Sequence, residues 1–546
     1  MRGAKSAKWV AGAIVVALAA TACGSGSDEG NGDKGEGGKG GAFSMNIAEP
    51  KRLVPQAATE SGGSQVLSGL FTPLVEFDAQ NQPVLAAAES IESTDNKVWT
   101  IKLKDATWHD GTPVTAKDYV GAWNWGAYGP NAADGNYFFG TIQGYDEMNP
   151  VDPDGDEGPK KAPEPSAKEL SGLKAVDDKT IEVTLKAPFA GYKSVLGYTV
   201  FYPMPQSALA DIKAYEEAPI GQGPFQMDGK WEHDKAVKVK AYADYKLGEK
   251  PKVDAVEFRI YQDQNTAYND LLANNLDVVD QIPTEVMGTA PSELGDRFKS
   301  SEASTFQFVA FPTYDKKFSD PRVRKAISMA IDRDEIIKVV FQNSQSSADA
   351  FVSPVVGGYR EGACGDACKF NPAEAKKLLA EAGGIEGNKI NIGHNADGGH
   401  EQWINATCDQ LKKNLGIECV GQAVPKFAEL LKQVEEKKFS GMFRLGWIMD
   451  YPSMENYLGP LYSTDGSSNY YGYSNKDFDR LVQEGREAKT EAEAITKWQA
   501  AEDILVKDMP VIPLRFGKNV FGHSTNVKSV EMNLFNQVEL TKVEKA

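Results

Sequence analysis

The chain opens with Arg2, Lys5 and Lys8 as its first charges, continues through an apolar run over residues 9–20, and reaches Thr21-Ala22-Cys23-Gly24. Basic start, apolar core and small residues in that order form an export signal. The run is too short for a comfortable transmembrane span. This leader constrains the fold more than any other feature. The working part of the chain is expected to fold after export, in an oxidising compartment. Glycines and charges over residues 24–41 have nothing to bury and read as a flexible tether.

A cysteine directly after Ala22 resembles the lipobox of bacterial lipoproteins, whose thiol is diacylated and becomes the first residue of the mature chain. Ala20 stands where a leucine is commoner. The resemblance implies a signal peptide at 1–22, lipid on Cys23 and a tether over 23–42. The other cysteines are Cys364, Cys368, Cys408 and Cys419. An even number in an exported chain suggests disulfides, most simply the local pairs Cys364 with Cys368 and Cys408 with Cys419. A zinc site competes, but none of the histidines at 109, 233, 394, 400 and 523 falls at a recognised zinc spacing from a cysteine pair. No metal and no cofactor are expected.

With 546 residues the chain exceeds one ordinary core, and two or three lobes of roughly 100 to 200 residues are expected. Removing the leader with its three basic residues takes the formal charge from −18 to −21. Nucleic acid is therefore not an expected partner, because phosphate neutralisation needs a basic face. Trp99, Ile101 and Leu103 alternate with polar neighbours and predict a half-buried strand. Ile181, Val183 and Leu185 repeat the pattern, as do Val256, Phe258 and Ile260. Between the first two, residues 149–166 are rich in Pro, Asp and Gly and read as a surface loop.

Helices dominate later. Asp320-Pro321 opens one, with Val323, Ile327 and Ile331 at helical spacing. Asp332 and Glu335 form a capping-box pattern ahead of Ile336, Ile337 and Val340. Asn371-Pro372 begins another, with Leu378, Leu379 and Ala382 as its stripe and Gly383 at its end. Strands and helices together give a mixed α/β class. Catalytic motifs are missing: the sequence contains no Gly-x-Ser-x-Gly, His-Glu-x-x-His or P-loop pattern. His109, followed by Asp110-Gly111, reads as a turn residue rather than a base.

Residues 99–123, WTIKLKDATWHDGTPVTAKDYVGAW, resemble the signature of the large extracytoplasmic solute-binding proteins of peptide importers, solute-binding family 5. They comprise a strand, a His-Asp-Gly turn and a helix start in which Thr115 and Asp118 can form a capping box. Further blocks follow in order: Glu49-Pro50 with Leu53 and Pro55, Gly221-x-Gly223-Pro224-Phe225, LLANNLDV at 271–278, FSDPRVRKAISMAIDR at 318–333 and NKDFDRL at 475–481. The resemblance spans nearly all of 43–540. It implies an α/β, two-lobed, type II periplasmic-binding-protein-like fold with an additional third domain and a ligand cleft between the lobes. Lobe I would combine 43–71, 198–305 and 516–546, the extra domain 72–197, and lobe II 306–515.

The same resemblance assigns the site. Residues 444–451, RLGWIMDY, look like the stretch that carries an Asp for a peptide's α-amino group and, six residues earlier, an Arg for its carboxylate. Here those are Asp450 and Arg444. Backbone groups of Gly446, Trp447 and Ile448 would pair with the peptide as an added strand. Tyr451 completes the stretch, with Glu60 and Ser61 facing it from the first lobe, Phe427 near Val424, and Tyr137 of the Tyr137-Phe138-Phe139 cluster covering one end. Glu435 replaces a second carboxylate-binding Arg, so peptide length stays open.

The implied function is capture of peptides, in the oligopeptide range, by a monomeric, lipid-anchored protein at the extracytoplasmic face of the bacterial cell membrane, without enzymatic activity. Delivery would be to the permease and ATPases of an ABC importer. Alternatives are a receptor of the same fold for a nickel chelate or an oligosaccharide, a surface lipoprotein that senses peptide signals, and an exported hydrolase.

Overall fold

Alternation of apolar and polar residues sets the strands. In Val98–Leu103, Trp99, Ile101 and Leu103 are buried while Val98 and Lys102 are exposed, as expected of successive side chains on opposite faces. This strand lies between Ala88–Ser93 and Thr180–Thr184, antiparallel to both, in a four-stranded sheet completed by Leu173–Ala175. The helix Ala116–Ala127 follows the signature turn, and Asp118 accepts from the backbone N–H of Thr115 at 2.8 Å and from its hydroxyl at 3.0 Å. The computed structural model describes residues 40–78, 81–150, 163–396, 399–425 and 427–546. The leader, Cys23, the tether up to residue 39 and most of the 149–166 loop lie outside the described residues.

The described residues form one compact unit, built around an eleven-stranded sheet. From one edge its order runs Glu418–Val424, Lys389–Asn395, Met442–Trp447, Phe298–Ala310, Val511–His523, Val278–Val279, Ala42–Ile47, Ala255–Ile260, Ala236–Ala241 and Phe225–Met227, with Gln345–Ser347 also paired to Val511–His523. The two strands in the middle are 13 residues each. They pair in two stretches, 298–302 with 518–522 and 306–310 with 511–516, separated by a register shift between Glu302 and Phe306. One stretch continues the sheet through Val278–Val279 and the other through Met442–Trp447. The two halves of the sheet are joined at this irregular seam.

Helices cover the second half on both faces. Phe306, Phe308, Phe443 and Leu445 point into one core with Tyr457 and Tyr462, whereas Val309, Met442, Ile512 and Leu514 point into another with Val323, Ile327 and Trp403. Caps stop and start the covering helices where the sequence predicts. Asp320 accepts from the Arg322 N–H, Asp332 from Glu335 and Asn371 from Glu374, and Gly383, just past Pro372–Glu381, has a φ of +86°.

Candidate functional site

The strand Met442–Trp447 carries the first half of the candidate segment. On one edge it is paired antiparallel with Phe298–Ala310, from Phe443 opposite Ala310 to Trp447 opposite Phe306. On its other edge it meets Lys389–Asn395 only at Met442 and Phe443. From Arg444 onward no further strand pairs with that second edge among the described residues. Gly446 is there for a steric reason: a Cβ would stand 2.3 Å from the Gln307 side-chain nitrogen. Without one, the Gln307 amide crosses the strand, and its Oε1 accepts from Arg444 Nη2 at 2.7 Å. Arg444 Nη1 donates to Asn395 Oδ1 at 2.9 Å, and the guanidinium carbon lies 5.7 Å from the Phe427 ring centre. Phe427 opens the helix Phe427–Glu435 and is 40% exposed, against 6% for Arg444.

Beyond the strand Ile448 is exposed, Met449 is buried, and the chain turns at Asp450. Asn456, buried in the helix Glu455–Tyr462, organises the turn. Its Oδ1 accepts from Trp447 Nε1 at 3.1 Å and from the Asp450 N–H at 2.9 Å, and its Nδ2 donates to Asp450 Oδ2 at 3.1 Å. The Tyr137 hydroxyl reaches Asp450 Oδ1 at 3.5 Å. Burial pushes the Asp450 carboxyl above its ordinary range. Among the described residues no Lys, Arg or His lies within ion-pair distance of it. Among the described residues, Asp450 is thus a desolvated carboxyl met by neutral hydrogen-bond donors and by no cation.

The other predicted residues divide into two groups. Tyr137, half exposed, stacks on Phe138 at 4.5 Å, which stacks on Tyr198 at 4.5 Å. The Tyr198 hydroxyl is pushed up to about 12 by burial, then by the charges of Asp450 and Glu60, so both carboxylates act on one phenol. Glu60 itself caps the helix Ser61–Leu70, accepting from the N–H groups of Gly63 at 2.6 Å and Lys51 at 3.0 Å. Ser61 is the exposed first residue of that helix. Tyr451 turns elsewhere: its hydroxyl donates to Glu455, which also pairs with Arg486, and its ring meets Phe189 edge-on at 5.8 Å. Disulfides join Cys364 to Cys368 and Cys408 to Cys419. Sequence reasoning missed Asn456, Gln307, Asn395 and Tyr198, which come together only through the sheet register and the helix after Asp450.

The profile of the bacterial extracellular solute-binding proteins, family 5, matches residues 82–469. The chain belongs to that family. Among relatives of this family 5 chain, the dipeptide-binding protein DppE of Bacillus subtilis is 28% identical over 92% of this chain and 91% of its own length. The oligopeptide-binding protein OppA of the same organism is 26% identical over 95% of each. HbpA2 from Haemophilus parasuis superposes with a TM-score of 0.78 at 21% identity, over 92% of this chain and 100% of that structure. The family 5 fold is that of type II periplasmic binding proteins, mixed α/β in several domains, as the signature blocks imply. Proteins of this family bind solutes for transport and are not enzymes.

Proposed function

We propose that this family 5 protein captures peptides outside the cell membrane and delivers them to the permease and ATPases of an ABC importer. One observation carries the reading: among the described residues Asp450 is desolvated and without a cation, six residues from a buried Arg444, with an open strand edge between them. A zwitterionic peptide laid along that edge supplies the ammonium, the carboxylate and the backbone partners, and an unmatched charge buried in such a place is costly. Relatives that bind dipeptides and oligopeptides support the same solute class. In this reading Glu60 lies across from Asp450, Tyr137 covers the amino end, and Phe427 flanks the carboxylate end. The lobes divide at 305 and 515, close to the seam between Glu302 and Phe306. Lipid on Cys23 holds the protein, as a monomer, at the membrane.

The amino-terminal contact is testable by titration calorimetry with a binding peptide and its N-acetylated form. Removing one partner of a desolvated ion pair costs about 3 to 5 kcal/mol, a roughly 100-fold or larger loss of affinity. Acetylation is expected to weaken binding to wild type by that amount, and to weaken binding to Asp450→Asn far less. Equal binding of both peptides to wild type removes Asp450 from this role and with it the main support for a peptide ligand.

A further inference from the structure

Arg515 lies in the second long strand, directly opposite Gln307. The register slips just there: Gln307 faces Arg515 but Phe308 faces Pro513, so Leu514 is an extra residue. Such a bulge re-aims the side chains beyond it. Phe516 joins Phe306 and Phe308 in one core, and Arg515 comes onto the face that carries Gln307 and Arg444.

The surroundings of Arg515 are unusual for a cation. It is 8% exposed, its Nη1 donates to Gln345 Oε1 at 2.9 Å, and its guanidinium carbon stands 4.3 Å from the Phe341 ring centre. Its Nε is buried without an acceptor. Among the described residues no carboxylate lies within ion-pair distance. The charge that acts on it is another cation: burial first, and Arg444 second, hold the guanidinium down to about 9. A ring face and one amide oxygen offset only part of the cost of keeping this charge from water. A carboxylate would complete it, since the planar fork still has unused donors. Gln307 links the two cations, lying opposite Arg515 while accepting from Arg444.

We propose that Arg515 and Gln345 form, beside Arg444, a second carboxylate subsite that selects peptides ending in an acidic residue. The inference rests on the peptide reading, in which Arg444 takes the α-carboxylate. A C-terminal Glu or Asp carries its two carboxylates on one residue, which matches two guanidiniums on one sheet face. The neutral amide of Gln or Asn gains nothing from the second.

The test is calorimetry with two series, one to four alanines followed by Glu, and the same followed by Gln, so that peptide length need not be known. For the length that binds wild type best, the Glu peptide is expected to bind at least about tenfold tighter than its Gln twin. In Arg515→Gln that ratio is expected to fall to within about twofold while both peptides still bind. Arg515→Met, which keeps an unbranched stem against Phe341, carries the same expectation if the first variant folds poorly. A ratio near one in wild type, or a tenfold ratio that survives in either variant, overturns the acidic subsite and leaves the peptide reading standing. Failure of every member of both series to bind wild type sinks the peptide reading and this inference with it.

Discussion

His109 shows how a residue with catalytic potential is turned to structure. Its Nδ1 accepts from the Gly221 N–H at 3.1 Å and its Nε2 faces the Gly223 carbonyl at 3.2 Å, so the ring sits neutral between two signature blocks. Gly221 cannot carry a side chain, because a Cβ would stand 1.9 Å from the Leu70 carbonyl oxygen. Burial holds the His109 pKa down to about 4, against an unfolded value near 6.5. With the folded pKa depressed, the unfolded chain binds the proton more readily. The contribution to stability is therefore complete above pH 6.5 and is lost as pH falls toward 4. That loss amounts to about 2 to 3 kcal/mol. Denaturant melts of wild type and His109→Gln at pH 7 and pH 4.5 measure it: the variant, less stable at pH 7, is expected to lose less on acidification. An equal loss in both assigns the pH dependence to other groups.

Among elements, the strand Met442–Trp447 depends most on its neighbours. Its burial and open edge follow from where Phe298–Ala310 and Lys389–Asn395 pair with it, and its glycine follows from the Gln307 side chain that crosses it. Gly446→Ala is expected to cost about 1 to 3 kcal/mol through overpacking. Adding Gln307→Ala removes the obstructing amide, so the double variant should regain most of that stability. In the proposed peptide reading, affinity of the double variant should fall below wild type, because Arg444 has lost the acceptor at 2.7 Å. A double variant no more stable than Gly446→Ala places the strain elsewhere. The helix ends, by contrast, were legible residue by residue. Asp320, Asp332 and Asn371 each accept from a backbone N–H in the first turn, because capping is local chemistry between positions two or three apart.

At the scale of the whole molecule, the proposed attachment and the architecture rest on different kinds of signal. Lipid anchoring rests on the order of charge, apolar run and Cys23, and it predicts that Cys23→Ala moves the protein from the membrane fraction to the medium. Unchanged membrane association, followed by blotting of both fractions, removes the anchor. The sequence by itself determined the α/β class, the alternating strands, the helix caps and the family, because each is written in neighbouring residues at period 2, at helical spacing or in an ordered motif. Only the tertiary structure decided that Asn456 orients Asp450 and Trp447 together and that Gln307 serves Arg444 across a strand. It alone turned Tyr451 toward Glu455. Arg515 is the sharpest case. Unbroken alternation from Ile512 and Leu514 would put Phe516 with them and Arg515 on the other face, and the extra residue opposite Gln307 and Phe308 reverses both. A bulge is set by which strands pair and in what register, over a sequence separation of about two hundred residues here, and no local pattern records it.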